Sequence, residues 1–173
     1  MSTTIEGRVW VFGDNISGDN GIIEFGVIRD FTKPFDEASL AAMCFARVDP
    51  AFPARFGPGD IVVAGRNFAH HSHPQVSVAM KAAGLAGVLC ESTETGFLRK
   101  CVNIGFPLLV CPGVTGIVQS GQTLAVDLAS GRVTNRDTGA ALQTAGYSPR
   151  LLAMIDAGGL IPFLRAERAA LAG

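Results

Sequence analysis

Short apolar runs alternate with periodic apolar segments through the middle of the chain. Residues 60–65, 86–90 and 106–111 are short apolar runs of the kind found in strands that are buried on both faces. Between them, residues 75–83 and a second segment that ends at Gly105 place apolar side chains at helical spacing. This β-α-β-α-β order predicts an α/β fold with a parallel core and right-handed crossover connections.

The flanking segments predict further elements. A β-branched and aromatic strand is expected over residues 8–12, and Asp36 is a candidate N-cap for a helix over residues 37–43. Gly, Asp, Asn or Pro dominate residues 16–21 and 49–59, which are expected to be irregular. Towards the C-terminus we expect short strands and then a helical tail: strands at 123–128, 132–135 and 140–144, and helices over about 149–171 with a break at Gly158 and Gly159.

Composition favours one globular domain over residues 1–173. Hydrophobic residues make up 48% of the chain and charged residues 17%, which excludes disorder. The net charge of -1 offers no single-sign field for a nucleic acid or an anionic membrane. No secretory signal or membrane-length apolar run is visible, and the four cysteines form no Cys-x-x-Cys pair. We therefore expect a cytoplasmic protein with reduced core thiols and no iron–sulfur cluster of its own.

The candidate chemistry is concentrated in one polar segment, residues 66–75, which follows the first buried strand. It contains all three histidines, His70, His71 and His73. Ligands of parallel α/β sheets gather at the carboxyl ends of strands, which is where this segment falls. Ser72 and Gln75 have the spacing of a capping box, so Ser72 is expected to be the N-cap of the following helix, at its positive end.

Each of these residues has a structural and a functional interpretation. Ser72 is either a helix cap alone, or a base whose alkoxide is stabilised by surrounding N–H groups. The histidines are solvated loop residues, donors to a substrate carboxylate, or metal ligands, although no cysteine or carboxylate is spaced to complete a metal site. The nearby turn-forming residues are interpreted as structural: Asp14, Asn15, Asp19 and Asn20.

Five segments, taken in order, resemble the small subunit of 3-isopropylmalate dehydratase. They are Gly13-Asp14-Asn15-Ile16 with Asp19 and Ile22-Ile23, residues 58–68 (PGDIVVAGRNF), residues 82–84 (AAG), residues 103–108 (NIGFPL) and residues 126–131 (VDLASG). The resemblance extends from Gly7 to about Leu164. It implies the β/β/α swivelling domain of the aconitase superfamily. It also implies a large-subunit partner that carries a [4Fe–4S] cluster as Lewis acid, with the active site between the two chains.

The chain also departs from this family at the expected site. The family loop Gly-Cys-Gly-Ser-Ser-Arg-Glu is replaced by residues 69–75 (AHHSHPQ), which keep the proton-abstracting serine as Ser72. A carboxylate-binding arginine of the family falls on Pro74, and a second falls on Thr95. The family's Asp-Thr-Asp signature contains what looks like an extra residue here, and the proline after Ile-Ile is Glu24.

These observations predict the small subunit of a heteromeric hydro-lyase that dehydrates and rehydrates a hydroxy acid. Ser72 is the expected base, and the substrate is expected to be bound and oriented by Arg66, His70, His71 and His73. Loss of the two arginines argues against ordinary 3-isopropylmalate or citrate as substrate. Two other interpretations stay open: a catalytically degenerate relative that acts as an interaction or regulatory module, and a metal-binding protein built on the histidine loop.

Overall fold

The computed structural model describes residues 3–28 and 36–171. The strands are β1 (Thr4–Val11), β2 (Ile61–Ala64), β3 (Gly87–Cys90), β4 (Leu108–Val110), β5 (Thr123–Asp127), β6 (Arg132–Asn135) and β7 (Ala141–Gln143). They form one seven-stranded sheet in the order β4-β3-β2-β1-β5-β6-β7. The pairs from β1 to β4 are parallel, and those from β1 through β5 and β6 to β7 are antiparallel.

The helices of the described residues are mostly short. They are α1 (Phe25–Ile28), α2 (Glu37–Met43), α3 (Phe52–Arg55), α4 (Pro74–Ala82), α5 (Thr95–Asn103), α6 (Val114–Ile117), α7 (Pro149–Asp156) and α8 (Leu160–Leu171). One further turn, Gly18–Ile22, is π-helical. No helix in the described ranges is long and apolar enough to cross a membrane.

Alternate side chains along the buried strands point to opposite faces of the sheet, so the core consists of two clusters, one on each face. Val62 and Ala64 of β2 pack into a cluster with the inner faces of α2, α4 and α5, including Leu40, Met80 and Phe97. Ile61 and Val63 belong to a second cluster, which is shared with α6, β5 and β6. Every residue of β2 and β3 is buried, as the continuous apolar runs predicted.

The antiparallel half of the sheet is joined to the parallel half through β1. Its last residues, Val9 to Val11, pair with β2, whereas Thr4 to Arg8 pair with β5. This arrangement brings the carboxyl ends of β1, β2 and β3 to one edge of the sheet. The loops that leave these three strands are therefore neighbours.

Two segments that were expected to be irregular contain helical turns. The prediction for residues 49–59 was wrong at α3, because Pro53 occupies one of the first helical positions, where a missing N–H is tolerated. The prediction for residues 16–21 was wrong at the π-helical turn. There Ile22 N–H donates to Ser17 O at 2.9 Å and Ile23 N–H to Gly18 O at 3.0 Å. An i→i+5 turn holds one residue more than an α-helical turn, so this segment is wider than an ordinary helical turn.

Candidate functional site

The loop that connects β2 to α4 lies between the loops that follow β1 and β3. Asp14 Oδ1 accepts a hydrogen bond from Arg66 N–H at 2.7 Å, and Asn15 N–H donates to Arg66 O at 2.8 Å. On the other side, Phe68 N–H donates to Ser92 O at 2.9 Å, and Asn67 N–H donates to Ser92 Oγ at 2.9 Å. The segment that carries the candidate residues is therefore fixed by backbone contacts at both sides.

The backbone of this loop repeatedly enters the left-handed region. Asn67, Ala69 and His71 have φ angles of +55°, +57° and +49°. Ala69 and His71 occupy the two positions at which the resembling family has glycine. A non-glycine residue in this conformation costs about 1–2 kcal/mol, so the loop stores strain that the surrounding contacts offset.

The predicted capping box does not form. His73, not Ser72, is the N-cap of α4, and Pro74 follows as the first helical residue. Gln75 is consequently the second helical residue and is not placed to complete the box. The carboxylate of Asp19 accepts the backbone N–H of His73 at 2.9 Å, which places a tertiary acceptor at the helix start. The side chain of Ser72 is left without a capping role.

Ser72 Oγ is buried and has no hydrogen-bond partner among the described residues, and the same is true of Gln75 Oε1. The Ser72 backbone is nevertheless closely held. Lys100 Nζ of α5 donates to Ser72 O. Gly18 lies against the residue so closely that a Cβ there would be 2.5 Å from Ser72 Cβ. An unpartnered buried hydroxyl carries an uncompensated desolvation cost, which makes Ser72 a candidate functional residue.

The three histidines fall into two separate contacts. His73 Nδ1 lies 2.7 Å from Asp19 Oδ2, and the His73 ring stacks on Phe25 with 3.8 Å between ring centroids. His70 Nδ1 and His71 Nδ1 lie 2.7 Å apart, and His70 Nε2 lies 3.2 Å from Asn15 O. A carbonyl oxygen only accepts, so His70 carries its proton on Nε2 and His71 Nδ1 donates to His70 when both rings are neutral. This pattern leaves His71 Nε2 as an acceptor.

Arg66 is exposed at the same edge of the sheet. Its positive charge contributes to lowering the pKa of the Glu91 carboxyl group. Partial burial alone raises the pKa of Glu91, but hydrogen bonds from the Thr115 hydroxyl and amide and from Gly113 N–H outweigh burial and lower the pKa. Glu91 is therefore ionised at neutral pH and anchors the loop after β4, next to the candidate site.

The two positions at which the family has arginine are also at this edge. Pro74 begins α4 and Thr95 begins α5, and both residues are exposed. Neither side chain carries a charge. The positive charge in this region comes from Arg66 and Lys100, with the three histidines contributing when they are protonated.

The cysteines do not fit an iron–sulfur cluster. Cys44, Cys90, Cys101 and Cys111 are buried and unpaired. Burial raises the pKa of all four thiols, that of Cys90 to about 12, whereas a cluster binds thiolates. Across residues 3–28 and 36–171, no group of three or more His, Cys, Asp or Glu side chains could hold a metal ion.

Comparison with known proteins shows relatives over almost the whole chain, although no family model matches. The chain is 37% identical over 168 residues to 3-isopropylmalate dehydratase small subunit 1 of Methanopyrus kandleri, covering 96% of both chains. It is 35% identical over 170 residues to the isopropylmalate/citramalate isomerase small subunit of Methanocaldococcus jannaschii, covering 98% of both. A crystal structure of 3-isopropylmalate dehydratase from Methanocaldococcus jannaschii superposes with a TM-score of 0.86 at 26% identity, over 98% of each chain.

The chain belongs to the 3-isopropylmalate dehydratase small-subunit family of aconitase-superfamily hydro-lyases. The predicted fold class and the predicted role as the small subunit of a heteromeric hydro-lyase are both confirmed. The comparisons give no support to an interaction module or to a histidine-loop metalloprotein.

Three residues of the site were not predicted from the sequence as functional. Asp19 was interpreted as a turn former, but its carboxylate accepts two hydrogen bonds from His73. Its place in the family's aspartate signature was the only available signal. Lys100 and Phe25 contact Ser72 and His73 from α5 and α1, and nothing in their local sequence indicates either contact.

Proposed function

We propose that Ser72 is the base of a hydration–dehydration reaction on a hydroxy acid. The buried, unpartnered Ser72 Oγ is the observation that carries this proposal. Removal of a proton next to a carboxylate, followed by loss of the hydroxyl group, produces the unsaturated acid. Addition of water on the other carbon completes an isomerisation.

The surroundings of Ser72 favour an alkoxide. Ser72 directly precedes the N-cap of α4, so the positive end of that helix dipole lies beside it. The ammonium group of Lys100 donates to the Ser72 carbonyl and adds positive charge close to the same residue. Because no described group occupies the lone pairs of Oγ, the alkoxide form of Ser72 is free to accept a substrate proton and return to the neutral hydroxyl.

Arg66, His70, His71 and His73 are the residues that orient the substrate in this proposal. They lie on one loop at the sheet edge, close to the positions from which the family's two arginines are absent. The Arg66 guanidinium and the imidazoles of His71 and His73, when protonated at Nε2, are donors to carboxylates, and His70 contributes by holding His71 through Nδ1, so this set can replace part of the lost positive charge. The replacement is not isosteric, which predicts a substrate that differs from 3-isopropylmalate in the placement of its carboxylates.

The reaction requires a large subunit that covers this edge. We propose that the partner holds a [4Fe–4S] cluster, which supplies Lewis-acid chemistry at the leaving hydroxyl group. The buried thiols of the present chain support this division, because burial raises the pKa of all four and a cluster binds thiolates. The same reduced thiols support a cytoplasmic location.

Anaerobic co-expression with the large subunit of the same genome tests the proposal. The expected result is a brown complex that interconverts a hydroxy acid and its unsaturated acid, with turnover on 3-isopropylmalate at least about 100-fold below that on the preferred substrate, because an unpaired buried carboxylate is costly. The isolated subunit is expected to be colourless and inactive.

Three results would contradict parts of this account. Efficient turnover of 3-isopropylmalate would show that the missing arginines are compensated. A cluster-containing complex without activity on a broad panel of hydroxy acids would favour a degenerate subunit. Stoichiometric zinc or iron in the isolated, tag-free chain would support a metal site in the histidine loop.

A further inference from the structure

We propose that Asp19 is a positioning residue that fixes the imidazole of His73 and presents its Nε2 atom to a carboxylate of the substrate. This inference rests on the proposed function, and it adds a residue to which the sequence assigned only a turn. In this proposal, the Asp19–His73 pair replaces part of the positive charge that the family's two arginines supply.

Asp19 holds His73 at two points. Oδ1 accepts the backbone N–H at 2.9 Å, and Oδ2 lies 2.7 Å from ring Nδ1. A carboxylate accepts hydrogen bonds, so the ring proton must be on Nδ1. The Phe25 ring, stacked at 3.8 Å and 8° from parallel, limits rotation of the imidazole about its remaining torsion.

The other ring nitrogen, Nε2, lies on the side of the imidazole away from Asp19. The Asp19 side chain is 13% exposed, whereas the His73 side chain is 51% exposed. Within residues 3–28 and 36–171, no hydrogen bond occupies His73 Nε2. The His73 ring is fixed at Nδ1, stacks on an aromatic ring and has no hydrogen-bond partner at Nε2 within the described residues. This arrangement is expected of a residue that binds a ligand through Nε2.

The π-helical turn carries Asp19 and lies against the histidine loop. Asp19 is the second residue of the turn, and Asp19 N–H donates to His71 O at 3.2 Å. Gly18 N–H donates to His70 O at 2.8 Å, so the turn is hydrogen-bonded to the histidine loop in register. Asp19 keeps its place in the family's aspartate signature, whereas the histidine at position 73 is a departure from the family pattern, and in the structure these two residues are in contact.

The pairing has a definite chemical consequence. When His73 is protonated, Asp19 compensates the charge at Nδ1 while Nε2–H donates to the substrate carboxylate. The neutral ring offers only a lone pair at Nε2, which repels a carboxylate. Asp19 therefore makes His73 bind an anion through a charged hydrogen bond or not at all.

NMR of the ¹⁵N-labelled full-length subunit tests the positioning directly. The three histidines give three ring spin systems, and His73→Gln assigns the one of interest. At a pH where the ring is neutral, wild-type His73 should be protonated at Nδ1. Asp19→Asn should move the proton to Nε2, because the amide can donate to Nδ1 while its oxygen keeps the backbone contact. Glu24→Gln, which removes a nearby carboxylate that pairs with Arg47, should leave the tautomer unchanged.

Kinetics of the complex test the link to substrate. Asp19→Asn should raise KM roughly tenfold and change kcat by less than about threefold, because a charged hydrogen bond becomes a neutral one. In a His73→Ala background the same substitution should have no further effect on KM, since Asp19 acts through His73. A structural role for Asp19 would instead give the same loss in both backgrounds.

The outcomes separate this inference from the proposed function. A wild-type His73 protonated at Nε2, or an equal effect of Asp19→Asn with and without His73, overturns the positioning role and leaves Ser72 as the proposed base. A complex with no hydro-lyase activity on any hydroxy acid overturns the proposed function and the carboxylate role of His73 with it. The predicted tautomer together with non-additive KM values supports the proposal.

Discussion

Gly18 lies against Ser72 with no room for a side chain between them. A Cβ on residue 18 would be 2.5 Å from Ser72 Cβ, 2.9 Å from its Cα and 3.2 Å from Val76 Cγ2. Two of these contacts are with atoms fixed to the Ser72 backbone, which cannot rotate away as the end of a long side chain could. The π-helical turn therefore sets the position of Ser72 through this contact.

Gly18→Ala should consequently displace Ser72 and lower turnover of the complex roughly 10- to 100-fold, because ångström-scale misplacement of a reacting group is costly. Gly13→Ala is the matched control: it lies in the same loop region, and its Cβ would have no neighbour within 4 Å. Turnover per folded complex, with folding checked by circular dichroism, measures the difference. Wild-type turnover for Gly18→Ala would show that Ser72 tolerates displacement.

The positive φ of His71 predicts that glycine is more stabilising than alanine at this position. His71→Gly should raise the free energy of unfolding by about 1 kcal/mol relative to His71→Ala, because alanine retains the left-handed strain and glycine relieves it. Denaturant unfolding of the isolated subunit measures both variants. Arg99 is an exposed position of α5 and serves as the control. There the glycine variant should have a lower free energy of unfolding than the alanine variant, since glycine costs about 1 kcal/mol in a helix. Equal stabilities at His71 would argue against strain in the loop.

The strand core and most helices could be predicted because their signals are local. Continuous apolar runs predicted β2 and β3. Gly84, with a φ of +85°, follows α4 and is the glycine that was predicted to end this helix. The prediction of a capping box was wrong because the helix start depends on Pro74 and on Asp19, which is 54 positions from the N-cap His73. The contact between Lys100 and Ser72 likewise depends on how α5 packs beside α4, which no local pattern encodes.

Asp60 makes a pH-dependent contribution to stability far from the site. Burial alone raises the pKa of its carboxyl group, but hydrogen bonds from Trp10 Nε1, Gly57 N–H and Arg8, together with the charge of Arg8, outweigh burial and hold the pKa below its ordinary value of 3.8. A lowered folded-state pKa means that this stability is present above pH 3.8 and is lost as pH falls through the folded value.

Asp60→Asn should therefore cost about 1–3 kcal/mol near neutral pH and reduce the acid dependence of unfolding below pH ~4. Urea unfolding between pH 3 and pH 7 measures both effects. Asp49→Asn is a suitable control, because its ion pair with Arg55 is more exposed and is expected to contribute less than about 1 kcal/mol. An unchanged acid slope in Asp60→Asn would contradict the ionised state described here.

Substitution of Ser72 tests the central claim most directly. Because Ser72 Oγ has no hydrogen-bond partner among the described residues, Ser72→Ala should change the free energy of unfolding by less than about 1 kcal/mol. Loss of the proton acceptor should lower turnover of the complex roughly 10²- to 10⁴-fold. Ser77→Ala should behave in the opposite way: Ser77 Oγ donates to Pro74 O at 2.8 Å, so its loss should reduce stability by about 1 kcal/mol and leave turnover unchanged.

The decisive measurement is turnover of the anaerobically purified Ser72→Ala complex on its preferred hydroxy acid, per folded molecule and beside the wild type. We expect a stable, assembled complex that has lost at least about 100-fold in turnover. Wild-type turnover in that complex would contradict the account, because the base would then lie on another residue.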